Sequence, residues 1–103
     1  MLTDTTKSQY ARVKSLPWNA VTWTNGIWDQ VTKNIGENTV PHIRKLFESK
    51  DISHVVENFK IAAEILDGDF EGTPFGDGDF YKWMEAAIYS ACRSNDEQLL
   101  EEI

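Results

Sequence analysis

The stretch that most constrains this chain runs Asp69-Phe70-Glu71-Gly72-Thr73-Pro74-Phe75-Gly76-Asp77-Gly78-Asp79-Phe80-Tyr81-Lys82-Trp83-Met84-Glu85. A glycine-rich acidic loop passes directly into an aromatic helix. Its polar and glycine residues are unsuited to a core, and its phenylalanines are unsuited to a free linker. Such a loop is pinned to a body by its rings, and loops carried on rigid elements are where binding and catalysis concentrate. Downstream, Phe80, Trp83, Met84, Ala87, Ile88 and Ala91 recur at helical spacing, the best periodic signal in the chain. The spacing predicts a helix from Asp77 or Asp79 to about residue 93.

The remaining pattern is also helical. Trp28, Val31, Thr32 and Ile35 share a face. Thr39 then fits a cap, with Pro41 tolerated in the first turn of a helix over about 40–50 that carries Val40, Ile43, Leu46 and Phe47. One long helix kinked at Pro41 is the alternative reading. Asp51 fits as the cap of a segment with Ile52, Val55, Val56 and Phe59, broken near Asn58 and extended through Ile61, Ala62, Ile65 and Leu66 to Asp67-Gly68. Ser94-Asn95-Asp96 reads as a turn and cap before a last helix with Leu99, Leu100 and Ile103. Upstream, Val21 and Trp23 alternate with polar residues, which fits one short strand or an extended arm carrying Trp18, Trp23 and Trp28, and Asn25-Gly26 is a turn signal. The expected organisation is an all-α chain: an arm over 1–19, then helices over 20–103 whose unfinished hydrophobic end reads as part of a larger fold.

With 103 residues, 41% apolar and 26% charged, the chain has room for one small core and is not of disordered composition. Its charge of -7 is lopsided: residues 1–63 carry eight Lys/Arg and six Asp/Glu, residues 64–103 only two and eleven. That balance argues against nucleic acid and an anionic membrane as partners. An acidic face fits, or an acidic pocket for a neutral or cationic ligand. No apolar signal segment and no membrane-length run is present, and a lone Cys92 excludes an internal disulfide, so a cytoplasmic location is expected.

Chemical motifs are few. Asp67, Asp69, Glu71 and Gly72 begin a calcium-loop pattern, but Pro74 and Gly78 stand where an aliphatic residue and a bidentate glutamate belong. Asp77 and Asp79 fit a helix N-cap better than a cation site. His42 and His54 lack zinc spacing, and HExxH, GxSxG and P-loop signatures are absent. Asp77, Asp79, Lys82 and Glu85 beside Phe75 and Trp83 either pair on a surface or line a cleft that grips sugar hydroxyls.

Gly26-Ile27-Trp28, Asn38-Thr39-Val40-Pro41-His42, Phe59 to Ala63, and Gly68 through Ala87, in that order, resemble the N-terminal region of beta-L-arabinofuranosidases of glycoside hydrolase family 127. The resemblance covers about residues 20–103. It implies part of an (α/α)6 barrel, and a parent enzyme that releases beta-linked L-arabinofuranose with retention. The family's cysteine nucleophile, its zinc and its acid/base glutamate lie beyond the equivalent of Ile103, so it implies no catalytic residue and no cofactor in this chain. Cys92 does not match the nucleophile. The family block usually reads Phe-x-Asp-Ser-Asp-Val-Tyr-Lys-Trp; here Gly78 replaces the Ser and Phe80 the Val. The resemblance therefore places Phe75, Asp77, Asp79, Lys82 and Trp83 as substrate-side residues, with the acids at the barrel rim, Trp83 between helices and Lys82 ordering an acid or a neighbouring segment. The partner it implies is an L-arabinofuranose-containing glycan, with self-association or a second chain as the other way to cover apolar helix faces. A non-catalytic helical interaction module and a free-standing helical domain are the competing readings.

Overall fold

The computed structural model describes residues 6–17 and 19–103. Five α-helices follow one another: α1 (Gly26–Asn34), α2 (Val40–Glu48), α3 (Val55–Ala62), α4 (Gly76–Ser94) and α5 (Glu97–Glu102), with a π-helical turn over Ile35–Thr39 joining α1 to α2. No strand occurs among the described residues, so the all-α expectation holds. The alternation at Val21 and Trp23 does not become a strand; Trp23 instead sets its ring 6.3 Å from that of Trp28. The expectation for Trp18 lies outside the described residues. No helix among them is long and apolar enough to cross a membrane.

Local chemistry explains the element boundaries. Asn25 is extended and Gly26 takes φ +78, a left-handed turn open to glycine, before α1 begins. From Gly26 to Glu48 the chain is helical throughout, so the single interrupted helix is the better of the two readings. Thr39 is not a cap: its backbone is right-handed helical and its side chain makes no capping bond. The interruption is the π turn, in which the Val40 N–H reaches back five residues to the Ile35 carbonyl. Pro41 has no N–H and its ring collides with the carbonyl four residues back in a regular helix. A wider turn immediately ahead of it relieves both demands.

Two further boundaries differ from the sequence pattern. Asp51 caps nothing; α3 starts at Val55, whose N–H meets the Ser53 hydroxyl at 3.4 Å. The helix passes Asn58 unbroken and stops at Ala62, because Glu64 turns to φ +57. Ile65 and Leu66 therefore lie outside a helix and exposed. The last boundary is as expected: Asn95 is left-handed, and the Asp96 carboxylate accepts from the Leu99 N–H at 3.0 Å to open α5.

The core lies where α2 crosses α4. Val40, Trp83 and Ala87 are buried, with Ile43, Phe47, Phe80, Met84, Leu99 and Ile103 packed around them. The Trp83 indole N–H donates to the Val40 carbonyl at 3.0 Å. Ring centroids of Phe47, Phe80 and Trp83 lie 5.4–6.2 Å apart, in the range of favourable aromatic pairs. Gly36 lets α4 come close, since a Cβ there would stand 2.6 Å from the Ser90 Oγ. Beyond this centre the packing thins. Ile27, Trp28, Val31 and Ile35 of the first helical stretch are exposed, as are Tyr10, Val13 and Leu16 ahead of it. The radius of gyration is 16.9 Å, against about 13 Å for a closed domain of this length.

Two outcomes follow from this packing. Trp83→Phe keeps one aromatic ring in the core but removes the indole donor and part of the buried volume, and a loss of at least about 1–3 kcal/mol is read as a lower urea midpoint. A second outcome concerns α5, which is tied to α2 by an ion pair between Arg44 and Glu102. A hydrogen bond from Gln98, then the Arg44 guanidinium, hold the Glu102 carboxyl below its ordinary range. The folded carboxyl thus binds its proton less tightly than the unfolded one. Its contribution is complete above the unfolded carboxylate range and disappears as pH falls through the lowered folded value. Protection factors of the α5 amides, taken against intrinsic exchange at each pH, are expected to fall across that acid window, and Glu102→Gln to reduce the dependence.

Candidate functional site

The acidic loop returns toward α3 and is fastened there by one side chain. The Asn58 amide donates to the Glu71 carbonyl at 2.7 Å, and its oxygen accepts from the Glu71 N–H at 3.1 Å. Gly72, at φ +90, makes the turn beside His54. His54 Nδ1 lies 3.5 Å from a Glu71 carboxylate oxygen and 3.9 Å from one of Glu57. The Gly76 N–H meets the Thr73 carbonyl at 3.3 Å, closing the turn that launches α4.

The rim is the first turn of α4. Phe75 precedes it with its ring largely exposed. Asp77 and Asp79 are not caps: the cap position is Phe75, without a side-chain bond, and both acids lie inside the first turn. There they complement the positive end of the helix. Asp79 accepts from the Lys82 ammonium at 3.0 Å, both groups facing solvent. Such an exposed pair contributes little to stability. Trp83 stands behind them, 7% exposed and held by Val40. A Cβ on Gly78 would meet open space, so the serine common in the resembling block is dispensable for packing here. Phe80 spreads its ring between Phe47 and Phe59, 5.4 and 5.3 Å away.

Between loop and rim is a cavity of about 230 Å³ bordered by Phe47, His54, Asn58, Glu71 and Asp79. The structure thus gathers Asp79 with Phe47 and Asn58, which the sequence pattern does not single out as a site, and with His54 and Glu71, which it weighs only as metal ligands. Asn58 had registered there only as a helix irregularity, since nothing local marks a contact thirteen residues away. Phe75, Asp77 and Lys82 stand outside this cavity, on the exposed edge.

A zinc centre does not fit these residues. Cys92 is the only cysteine and sits near the far end of α4. Among the described residues, no group of three or more His, Cys, Asp or Glu is placed to hold a metal ion.

A helical scaffold with an acidic, ring-backed rim is the class that fold and site define. Residues 20–103 match the sequence profile described as beta-L-arabinofuranosidase, GH127 catalytic domain, and the chain belongs to that family. Its relatives include the non-reducing end beta-L-arabinofuranosidase of Bifidobacterium longum subsp. longum, 33% identical over 97 residues. The match covers 77% of this chain and 14% of that enzyme, so the chain spans a small part of its relative's length. No solved structure matches.

Gly76 sets how closely the rim approaches α3, since a Cβ there would stand 2.8 Å from Val55 Cγ2. Val55 is buried and its β-branched side chain has little rotational freedom. Gly76→Ala is expected to cost about 1–3 kcal/mol through overpacking. Adding Val55→Ala should cost less than the sum of the two single changes, a coupling that a double-mutant cycle in urea measures.

Proposed function

We propose that this chain forms the first helices of an (α/α)6 barrel in a retaining hydrolase of beta-linked L-arabinofuranosides. The observation that carries this reading is the family match over residues 20–103, joined to a helical layer whose apolar face over Ile27, Trp28, Val31 and Ile35 stays open. A barrel of helices covers such faces with further helices. The α4 rim then belongs to the barrel mouth. Asp77 and Asp79 present acceptors to sugar hydroxyls, Phe75 offers a ring, Lys82 holds Asp79, and Trp83 anchors the rim from behind. The nucleophile, the acid/base and any metal come from elsewhere in such a protein, and this chain alone does not hydrolyse glycosides.

The test is a chimera in which this chain replaces the corresponding segment of the Bifidobacterium enzyme, assayed for arabinose release. A folded, active chimera is expected, with Asp77→Asn and Asp79→Asn each lowering kcat/KM about tenfold, the scale of one charge-assisted hydrogen bond. The isolated chain is expected to be inactive in the same assay. Activity of the isolated chain, or acid variants indistinguishable from the parent chimera, would overturn the proposal.

A further inference from the structure

The acidic loop is joined to α3 by two fastenings of different kind. One is the Asn58 amide, which donates to the Glu71 carbonyl and accepts from the Glu71 N–H. It is neutral and does not change with pH. The other is His54. Its Nδ1 lies 3.5 Å from the Glu71 carboxylate and 3.9 Å from that of Glu57, beyond hydrogen-bond length. Its ring lies beside Gly72, where a Cβ would stand 3.5 Å from His54 Cδ2. His54, Asn58 and Glu71 border two cavities, of about 230 and 300 Å³. They form a thin wall with space on both sides, which can shift without repacking the α2–α4 core.

The charges around His54 are one-sided. Glu57 approaches from α3 itself and Glu71 from the loop. Asp67 and Asp69 of the same loop border the larger cavity, and Asp79 of α4 borders the smaller one. Two of these acids have a cation of their own: Lys50 pairs with Glu57, and Lys82 with Asp79. Glu71 has His54 as its only ion-pair partner among the described residues.

Histidine changes charge between about pH 5 and 8. Charged, His54 attracts Glu71 across the seam and offsets the repulsion between Glu71 and Glu57. Neutral, it does neither, and the acidic loop rests against Glu57 with only the Asn58 clamp. The second fastening is therefore complete at the acid end of that range and fades as pH rises. A contact between opposite charges at this exposure changes an equilibrium about two- to fivefold.

We propose that His54 is a proton-operated latch between α3 and the acidic loop, closing the loop on α3 at mildly acidic pH and loosening it above neutrality. The latch acts on the loop wall and not on the first turn of α4, so it stands whatever ligand the rim takes.

The test reads the Glu71 N–H, whose bond to Asn58 Oδ1 reports closure of the seam. Its solvent exchange is measured by NMR from about pH 5.5 to 8, the range of histidine titration, and divided by the intrinsic rate at each pH. Protection is expected to be about two- to fivefold higher at the acid end, with a midpoint matching that of the His54 ring resonances. His54→Gln is expected to remove the change and leave protection at the lower level. Glu71→Gln alters a side chain 70% exposed and keeps the backbone clamp. It is expected to remove most of the change, and it decides the matter if His54→Gln does not fold. Protection of the Trp83 indole N–H, which lies in the core, is expected to stay constant over the same range. Flat protection at Glu71 overturns the proposal, as does a change that persists in either variant, or an equal change at the Trp83 indole, which would mark a shift in global stability.

Discussion

The core of this chain is arranged about one long-range bond, from the Trp83 indole to the Val40 carbonyl, joining positions 43 residues apart. A buried indole must find an acceptor, and a helix interior offers few. Val40 supplies one at the junction where the π turn becomes α2, the place at which backbone bonding is already irregular. The bond therefore fixes more than a contact. It sets the depth at which α4 lies across α2, and so the position of Phe47 and Phe80 and, through Phe80, of Phe59 on α3. The rim is the N-terminal continuation of the same helix. Its geometry is set by residues that face away from it.

This centre is small for the chain it organises. Among the described residues, only Val40, Val55, Trp83, Ala87 and Ala91 are buried apolar groups. Large apolar side chains with nothing over them cost solvation free energy that a closed core would recover. Likeness to a much longer relative, of which the match covers 14%, gives that imbalance a context. Helices that expose one stripe belong to layered folds in which another layer lies on it.

The helices around Trp83 were legible because packing and periodicity agree there: Phe80, Trp83, Ala87 and Ala91 all face inward at the expected spacing. The cap of α5 was legible because Asp96 acts locally. Misread boundaries had non-local or stereochemical causes. Asp51 is a fair cap by type, but α3 begins only at Val55. Ile65 and Leu66 keep a helical spacing, yet Glu64 reverses the backbone first. Asp77 and Asp79 look like caps because each precedes an apolar run, while the turn at Thr73–Gly76 puts the cap at Phe75, two residues ahead of Asp77. The resembling block pointed to the first turn of α4, but nothing local marked the fastening of the neighbouring loop by Asn58. Those contacts exist only after the fold has brought distant residues together.

The π turn has a consequence for the open face. A bond reaching back five residues sets Val40 above Ile35, as a regular turn sets residue i+4 above i. Ile27, Val31 and Ile35 advance in fours, and the next step, of five residues, lands on Val40 instead of drifting round the helix. Ile43 and Phe47 continue from there. One apolar seam therefore runs from α1 into α2, sealed by α4 over its second half and bare over its first. The inserted residue keeps the seam continuous across the junction, while the C-terminal part of α4 passes α1 beside Asp29 and Gly36, leaving Ile27, Val31 and Ile35 exposed.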